Sequence, residues 1–398
     1  MENLEKRYVI LIGEMKMPDQ NAAAQRTVAL CHSLIDIGKT PVVIGLKDGD
    51  YCSDKIMENH ETFSYADSYY VKNPVTIIER IKRTINVSKF IEIIDLYGTE
   101  NISAVIAQEH ESVSLLRLIT YCKKKKIRLI VDTFEWYEKS KLKFPIGMFK
   151  DIDTCLRMRW LYPHIRYMIC ISGYLYKHYV AGKACITRIP GTIVRNDTAY
   201  QSACRSYEKN AVATFVYAGY PGETCQKDKL DWVIRCICEL NDEGKRCRLR
   251  LIGDRLKETM ESYIPDLVDY RYYKDAVQYL GELPHKVCLE VIGKADFSII
   301  ARENKRLTQA GFPTKLSESL GCGTPVIITP AGDMPDYITD GINGIVADFC
   351  DDSSLKTAIR RAIHWFDTAD MKTIHRLSAE NNPLVSDCFN DNMQEILS

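Results

Sequence analysis

The sequence contains no long apolar run and no excess of charge of either sign. No window approaches the roughly 18 consecutive apolar residues of a membrane-spanning helix. Lysine plus arginine and aspartate plus glutamate number 53 each, so the overall charge gives no support to nucleic-acid binding. The charged residues 1–8 lack the apolar core of a signal peptide. These absences predict a cytoplasmic protein that binds no nucleic acid.

Two common metal and cofactor motifs are also missing. The 15 cysteines include no Cys-x-x-Cys pair, and the closest two, Cys236 and Cys238, lie in a segment with the pattern of an amphipathic helix. In a reducing compartment such cysteines pack as small apolar side chains, so we expect no metal site. The loop after the first apolar run has Gly13 alone instead of Gly-x-Gly-x-x-Gly, which argues against a dinucleotide-binding domain.

What the sequence does contain is a regular alternation of short apolar runs and amphipathic segments. Residues 8–12 form the first run and are predicted to be a strand that ends at Gly13, with apolar neighbours on both faces. A helix is predicted over 22–37, and 41–45 is the next strand. Because this order repeats along the chain, the sequence predicts an α/β protein with parallel sheets.

The length of 398 residues fits two domains of roughly 150 to 200 residues each. We place the first domain at 1–195 and the second at 205–380, with a polar linker around 192–210. A final helix is predicted within 381–398.

The segment 310–347 carries the most chemical information. Pro313 and Thr314 begin a helical stretch, Gly321 comes near its end, and 325–328 has the pattern of a short buried strand. The first turn of such a helix offers unpaired backbone N–H groups and a partial positive charge, which suit a diphosphate. The segment therefore predicts a phosphate-binding helix start.

This segment, together with the run at 295–302, resembles the donor-binding half of family 4 glycosyltransferases. The resemblance implies a GT-B fold: two Rossmann-like, doubly wound parallel-sheet domains facing a central cleft, with a C-terminal helix that crosses back to the N-terminal domain. Many members carry two glutamates separated by seven residues, whereas this chain has Glu318 but Ala310 in the first position. We interpret Ala310 as a mark of the branch that carries Phe-Pro-Thr-Lys-Leu at 312–316.

The resemblance also implies the residues of a donor site. Lys227 stands where relatives contact the donor diphosphate, and Tyr220 replaces their frequent arginine, so Arg302 and the backbone around Thr314 are expected to supply further contacts. Glu318 is expected to orient the hydroxyl groups of the donor. The full donor-binding set is Gly13, Lys227, Gly253, Leu283, Arg302, Thr314, Lys315, Leu316 and Glu318.

Polar residues follow two predicted strands of the first domain. Asp132 and Glu135 come after the strand at 127–131, and His110 comes after the strand at 102–107. Because the carboxyl ends of parallel strands meet at one edge of a sheet, we expect these side chains to share a crevice. Many relatives have a histidine after the equivalent of 127–131, so Glu135 or Asp132 is predicted to act as the base, with His110 as the alternative.

The run at 17–26 resembles the acceptor-side loop and helix of the same branch. Asn21 and Arg26 are therefore predicted to bind the acceptor together with His110 and Glu135. The alternative is an ordinary loop with a surface arginine.

Bases and large apolar side chains are interspersed between 139 and 167. One interpretation is a segment that lies on an anionic membrane surface, near a lipid-linked acceptor. The other is a pair of helices with a basic outer face. The residues concerned are Lys139, Lys141, Lys143, Phe144, Phe149, Lys150, Arg157, Arg159, Trp160, Tyr162 and Arg166.

Taken together, the residues and the resemblance predict a retaining, metal-independent hexosyltransferase of surface polysaccharide biosynthesis. Its donor is expected to be a nucleotide-diphosphate sugar, with a UDP-sugar ranked before a GDP-sugar, and its acceptor a glycan or lipid-linked oligosaccharide. No other cofactor is expected. The predicted catalytic residues are Glu135, Asp132, Lys227 and Glu318. A sugar-nucleotide epimerase and a non-catalytic nucleotide-sugar binding protein remain as alternatives, the latter favoured by Ala310.

Overall fold

The computed structural model describes residues 7–17, 21–46, 58–59, 62–67, 85, 87–137, 144 and 146–398. The chain divides into two compact units. The first unit comprises Met1–Pro190 and Ser386–Ser398, and the second comprises Gly191–Val385. Among the described residues, no helix combines the length and the apolar character needed to cross a membrane.

The described residues of the first unit form an eight-stranded sheet with the order β3-β4-β2-β1-β5-β6-β7-β8. All neighbouring strands are parallel except β3 and β4. The strands are β1 (Tyr8–Lys16), β2 (Thr40–Leu46), β3 (Glu58–Asn59), β4 (Ser64–Asp67), β5 (Ile102–Gln108), β6 (Arg128–Thr133), β7 (Tyr167–Cys170) and β8 (Cys185–Arg188).

Helices cover both faces of this sheet. A π-helix at Arg157–Leu161 follows α4 directly. The last turn of α3 carries three lysines, which lie at the negative end of the helix dipole. The helices are α1 (Ala22–Asp36), α2 (Ser88–Leu96), α3 (Ser112–Lys125), α4 (Ile146–Leu156), α5 (Tyr162–His164) and α6 (Gly173–Tyr179).

The first strand shows why this part of the chain is so apolar. Val9 and Leu11 belong to a core cluster on one face of β1, while Ile10 and Ile12 belong to a cluster on the other. The prediction that 8–12 is buried on both faces is confirmed, because these four side chains are fully buried. The predicted end at Gly13 is wrong, since β1 continues to Lys16 through a register shift after Ile12.

The second unit contains a six-stranded parallel sheet with the order β11-β10-β9-β12-β13-β14. Phe215 and Tyr217 of β9 pack into the core on one face of this sheet, and Val216 packs on the other. The strands are β9 (Ala213–Ala218), β10 (Cys247–Ile252), β11 (Val277–Gly281), β12 (Phe297–Ile300), β13 (Val326–Ile328) and β14 (Gly344–Val346).

Nine α-helices surround the second sheet. Residues 192–210, predicted to be a polar linker, contain α7 and belong to the second unit. Asp351 caps α14 by accepting a hydrogen bond from the backbone N–H of Ser354. The helices are α7 (Thr198–Arg205), α8 (Leu230–Asp242), α9 (Leu256–Tyr263), α10 (Tyr273–Ala276), α11 (His285–Gly293), α12 (Arg306–Ala310), α13 (Thr314–Gly321), α14 (Asp352–Thr368) and α15 (Met371–Glu380).

The end of the chain returns to the first unit. It forms α16 (Asn390–Leu397), whose Met393 and Ile396 are fully buried in the core cluster that also contains Leu30 of α1. Arg128 of β6 donates hydrogen bonds to the backbone oxygens of Ile396 and Ser398. The last helix is therefore an integral part of the first unit.

Candidate functional sites in the two units

Strand ends of the second unit lie side by side at the carboxyl edge of its sheet. The backbone of Gly219, after β9, donates to Ile252, and that of Gly253, after β10, donates to Gly281, both at 2.9 Å. A Cβ on Gly253 would lie 2.5 Å from the carbonyl oxygen of Gly219, so a side chain does not fit there. The glycines allow the backbones to approach closely at the edge where parallel sheets bind their ligands.

Asp228 lies buried beside this edge and is surrounded by donors. Its Oδ1 accepts a hydrogen bond from Nε of Arg302 at 2.6 Å, and its Oδ2 accepts one from the hydroxyl of Tyr217 at 2.8 Å. Nζ of Lys315 forms an ion pair with the same Oδ2. Burial alone would raise the pKa of Asp228, but the charges of Arg302 and Lys315 outweigh it and hold the pKa well below its usual range.

The two cations around Asp228 were both predicted from the sequence to contact the donor. Nζ of Lys315 lies 4.2 Å from the centre of the Tyr217 ring and 3.1 Å from its hydroxyl oxygen. The backbone N–H of Arg302 donates to Oγ1 of Thr329. Sequence analysis did not single out Asp228, the residue that holds these cations together; its position directly after Lys227 was the only available signal.

Glu318 lies one turn along α13 from Lys315. Its Oε1 is 3.3 Å from Nε2 of His285, the first residue of α11. Leu283, in the loop before that helix, is half-buried against the neighbouring core cluster. The predicted donor residue Glu318 is thus paired with His285, a residue that the sequence did not single out.

The start of α13 has the form that the sequence predicts. Pro313 precedes the first helical residue, Thr314. Leu316 is fully buried, and its N–H group donates to the carbonyl oxygen of Pro313 at 3.0 Å. Lys227 is half-buried, and its backbone N–H donates to Pro221.

The first unit contains a second charged cluster, centred on Arg26 and Asp132. The guanidinium group of Arg26 donates to both carboxylate oxygens of Asp132, at 2.9 and 2.7 Å. It also donates to the carbonyl oxygens of Ile189 and Pro190. Gln108 donates to Asp132 as well. Arg26 is therefore a buried residue that connects α1, β6 and the segment after β8, and both oxygens of Asp132 already accept hydrogen bonds.

Two further residues of the predicted acceptor site also have local partners. Asn21 caps α1, since its Oδ1 accepts a hydrogen bond from the backbone of Ala24 at 2.8 Å. His110 is buried, with Nε2 3.3 Å from the carbonyl oxygen of Ile12, and burial lowers its pKa to about 4. The imidazole is consequently neutral near pH 7. Residues 18–20, within the predicted acceptor run, lie outside the described residues.

Gly13 lies within β1, beside the end of β5. A Cβ on Gly13 would lie 2.8 Å from the carbonyl oxygen of Gln108. A side chain at position 13 would therefore collide with the backbone of Gln108, which explains why this position is a glycine.

Glu109 follows β5 and was not singled out by sequence analysis. Its φ angle is 50°, a left-handed conformation that is uncommon for a residue with a side chain. Neither buried carboxylate oxygen has a hydrogen-bond partner of good geometry among the described residues. Burial raises the pKa of Glu109 to about 8; the charge of Arg157 offsets part of this effect, while Glu135 and Asp132 add to it.

Arg157, the first residue of the π-helix, supports the segment that carries Glu109. Its guanidinium group donates to the carbonyl oxygens of Glu109 and His110, both at 3.3 Å, and lies over the ring of Tyr137. Glu135 is half-buried, and its charge contributes to the raised pKa of Glu109. The end of the first sheet therefore brings Glu109 close to a buried guanidinium group and to the half-buried residue predicted to act as base.

The described residues contain no group of three or more histidine, cysteine, aspartate or glutamate side chains arranged to hold a metal ion.

Comparison with known proteins relates these sites to a family. Residues 213–364 match the family described as glycosyl transferases group 1. This stretch lies within the second unit and includes Asp228, Arg302, Lys315 and Glu318. No match was found among curated protein sequences.

Solved structures resemble the chain over nearly its whole length. Sucrose-phosphate synthase from Thermosynechococcus elongatus is 14% identical, with a TM-score of 0.68 over 98% of both chains. A glycosyltransferase from Rickettsia africae is 15% identical, with a TM-score of 0.64 over 98% of both chains. HepE from Anabaena, in complex with UDP and glucose, is 12% identical, with a TM-score of 0.62 over 98% of this chain and 99% of HepE. The chain has the GT-B fold, as predicted, and its second unit matches the group 1 glycosyl transferases.

Proposed function

We propose that the protein is a retaining, metal-independent glycosyltransferase that moves a hexose from a nucleotide diphosphate to a glycan or lipid-linked oligosaccharide. The observation that supports this proposal most is the cation cluster of the second unit. Arg302 and Lys315 meet at Asp228 within the stretch that matches the group 1 glycosyl transferases. A donor site for a diphosphate requires such cations at the carboxyl edge of the sheet.

The chemistry assigned to the second unit is stabilisation of the leaving group. Negative charge develops on the diphosphate as its bond to the sugar breaks, and positive charge held in place beforehand lowers the energy of that state. Arg302, Lys315 and Lys227 supply three positive charges, and Asp228 neutralises one of them. Together with the N–H groups of Thr314 and Lys315 at the start of α13, they would serve without a metal ion or any cofactor other than the nucleotide sugar.

A UDP-sugar is the first choice of donor and a GDP-sugar the second. HepE, which shares the fold, binds UDP and glucose in its structure. In our proposal Glu318 orients the hydroxyl groups of the donor, and His285 fixes the position of that carboxylate.

The first unit is assigned to the acceptor. Glu135 is the proposed base or orienting group for the incoming hydroxyl, because both oxygens of the rival Asp132 are engaged by Arg26. In a retaining transfer the bond from the sugar to the diphosphate breaks, and the acceptor oxygen bonds to the same face of the sugar carbon. The acceptor proton passes to Glu135 or to the leaving phosphate.

We assign the reaction to surface polysaccharide biosynthesis at the cytoplasmic face of the membrane. A lipid-linked acceptor suits the exposed apolar and basic segment of the first unit, which includes Phe149 and Trp160. The nucleotide sugar would be supplied by a reaction that activates a sugar phosphate with a nucleoside triphosphate.

A transfer assay tests the proposal. Radiolabelled UDP-glucose, UDP-galactose and GDP-mannose would be incubated with the purified protein and an organic extract of bacterial membranes, and label in the lipid fraction would be counted. We expect label from one donor and a loss of about 100-fold or more in the rate with Glu135→Gln. Glu258→Gln, an exposed carboxylate of the second unit, serves as the control. Release of free sugar without transfer, or no turnover of any donor, would count against the proposal.

A further inference from the structure

A stripe of large apolar side chains lies exposed on the first unit. Phe149, Ile152 and Leu156 of α4 and Trp160 of the π-helix are 63%, 48%, 45% and 64% exposed. Their spacing of three, four and four residues places them along one side of the continuous helix. We call these four residues the α4 stripe.

More apolar surface surrounds the α4 stripe at its N-terminal end. Phe144, Ile146 and Met148 are 80%, 41% and 43% exposed. Arg157 and Met158 are buried at the same time, so this helix already has an inward side. An exposed apolar stripe in addition to a packed side is unusual for a helix on a water-exposed surface and indicates a binding surface.

In the sequence around the α4 stripe bases outnumber acids, although one of the bases, Arg157, is buried. Residues 139–166 contain seven lysines and arginines but two acidic residues, in a chain whose total charge is zero. Lys150 and Arg159 are exposed within the helical part. Asp153, one of the two acids, accepts hydrogen bonds from Ser112. Lys139, Lys141 and Lys143 lie outside the described residues.

We propose that the α4 stripe docks on an anionic lipid surface, with the stripe entering the boundary between headgroups and acyl chains. Apolar and aromatic side chains bordered by lysine and arginine are the features with which helices bind in that boundary. The basic residues favour an anionic partner and oppose a second copy of this surface, because two such segments would repel each other. The docking deepens the proposed function, on which it rests, by placing the first unit at a membrane that carries the acceptor.

Vesicle binding tests the docking without requiring turnover. The full chain would be mixed with vesicles of phosphatidylcholine, with or without phosphatidylglycerol, and sedimented. We expect binding to the anionic vesicles, weakened by salt, and a blue shift of the Trp160 emission that is absent in Trp160→Phe. Phe149→Glu should weaken binding by about tenfold or more, because one buried Phe contributes at least about 1.5 kcal/mol.

A matched control separates the α4 stripe from general surface effects. Phe349, in the second unit, is 68% exposed, so Phe349→Glu makes the same change on a different surface and should leave vesicle binding unchanged. The melting temperatures of both variants should stay near that of the wild type, since both side chains are exposed.

Three results would overturn the docking. They are equal binding of the wild type to neutral and anionic vesicles, unchanged binding of Phe149→Glu, and a dimer in solution that Phe149→Glu dissociates while no vesicle binds. If the vesicles bind as expected but no nucleotide sugar is turned over, the docking surface stands and the proposed function fails.

Discussion

Two buried carboxyl groups, Asp228 in the second unit and Glu109 in the first, have opposite pKa shifts. Asp228 is surrounded by Arg302, Lys315 and the hydroxyl of Tyr217, and its pKa is depressed. Among the described residues the carboxylate oxygens of Glu109 have no hydrogen-bond partner of good geometry, and burial raises the pKa of Glu109 to about 8. Burial favours the neutral form of both acids, so the partners decide which form is present.

The opposite pKa shifts reflect two different environments, one around Asp228 and one around Glu109. The cluster around Asp228 is fully paired and holds two cations in fixed positions. The surroundings of Glu109 combine a left-handed backbone with buried polar atoms for which the described part of the chain offers no hydrogen-bond partner. These atoms include Oγ1 of Thr133 and Nε of Arg157. A strained backbone and buried polar atoms without partners raise the free energy of the folded state. They persist only where the surrounding structure enforces them, and they are concentrated at functional sites.

The largest effect is expected from Asp228→Asn. Removing the carboxylate leaves the buried cations Arg302 and Lys315 without a counter-charge, which should lower the free energy of unfolding by about 3–5 kcal/mol. Chemical unfolding of wild type and variant measures this change. Asp254→Asn, which removes an exposed carboxylate near Arg255, should change it by less than about 1 kcal/mol. Equal effects of the two substitutions would show that the Asp228 cluster is not the paired site described above.

The next effect is on how the free energy of unfolding depends on pH. Glu109 has a pKa of about 8 in the folded chain against an ordinary value of 4.5, so between these pH values the folded chain holds a proton that the unfolded chain has released. The free energy of unfolding should therefore fall as pH rises, by roughly 1 kcal/mol per pH unit, and level off above about pH 8. Glu109→Gln should remove this part of the pH dependence.

Unfolding curves at several pH values measure the effect of Glu109. Glu258→Gln, an exposed carboxylate, provides the control and should keep the slope of the wild type. A Glu109→Gln chain with the same slope as the wild type would mean that Glu109 is ionised in the folded protein.

A smaller effect is expected from Tyr217→Phe. The substitution removes a hydroxyl group that donates to the ionised Asp228, and hydrogen bonds to charged groups contribute about 1.5–3 kcal/mol. A loss of this size in the free energy of unfolding would confirm that Tyr217 belongs to the paired cluster. No loss would show that Arg302 and Lys315 are sufficient for Asp228.

The smallest effect is expected from Thr133→Val in the first unit. The hydroxyl of Thr133 is buried without a hydrogen-bond partner among the described residues. Replacing it by a methyl group of similar shape should therefore leave the free energy of unfolding within about 1 kcal/mol of the wild type, or raise it. A loss as large as that of Tyr217→Phe would reveal a partner for Thr133 and weaken the contrast between the two units.

Sequence analysis was most successful where a local pattern determines the structure. The continuous apolar run at 8–12 predicted a strand covered on both faces. Prediction from the sequence failed where a residue far away in the chain determines the local structure. Gly13 was taken for a strand end, whereas the close approach of Gln108 explains the glycine within β1. The helix at Thr198–Arg205 was missed because its polar outer face resembles a linker.

In the candidate sites, too, partners that are far apart in the sequence could not be predicted. Lys315 and Arg302 were found through a resemblance of motifs, but their common partner Asp228 is defined only by the folded chain. The ion pair between Arg26 and Asp132 joins residues 106 positions apart, and no spacing rule predicts it. The left-handed backbone of Glu109 is equally invisible, because glutamate has no preference for that conformation.

The central claim, a nucleotide-diphosphate site in the second unit, is tested most directly by the melting temperature of the purified protein with UDP, GDP or ADP. A ligand that binds only the folded chain raises the melting temperature by mass action. We predict that UDP raises it and that the shift is lost in Lys227→Ala and Glu318→Ala but kept in Glu258→Ala. If none of the three diphosphates raises the melting temperature of the wild type, the donor site is contradicted.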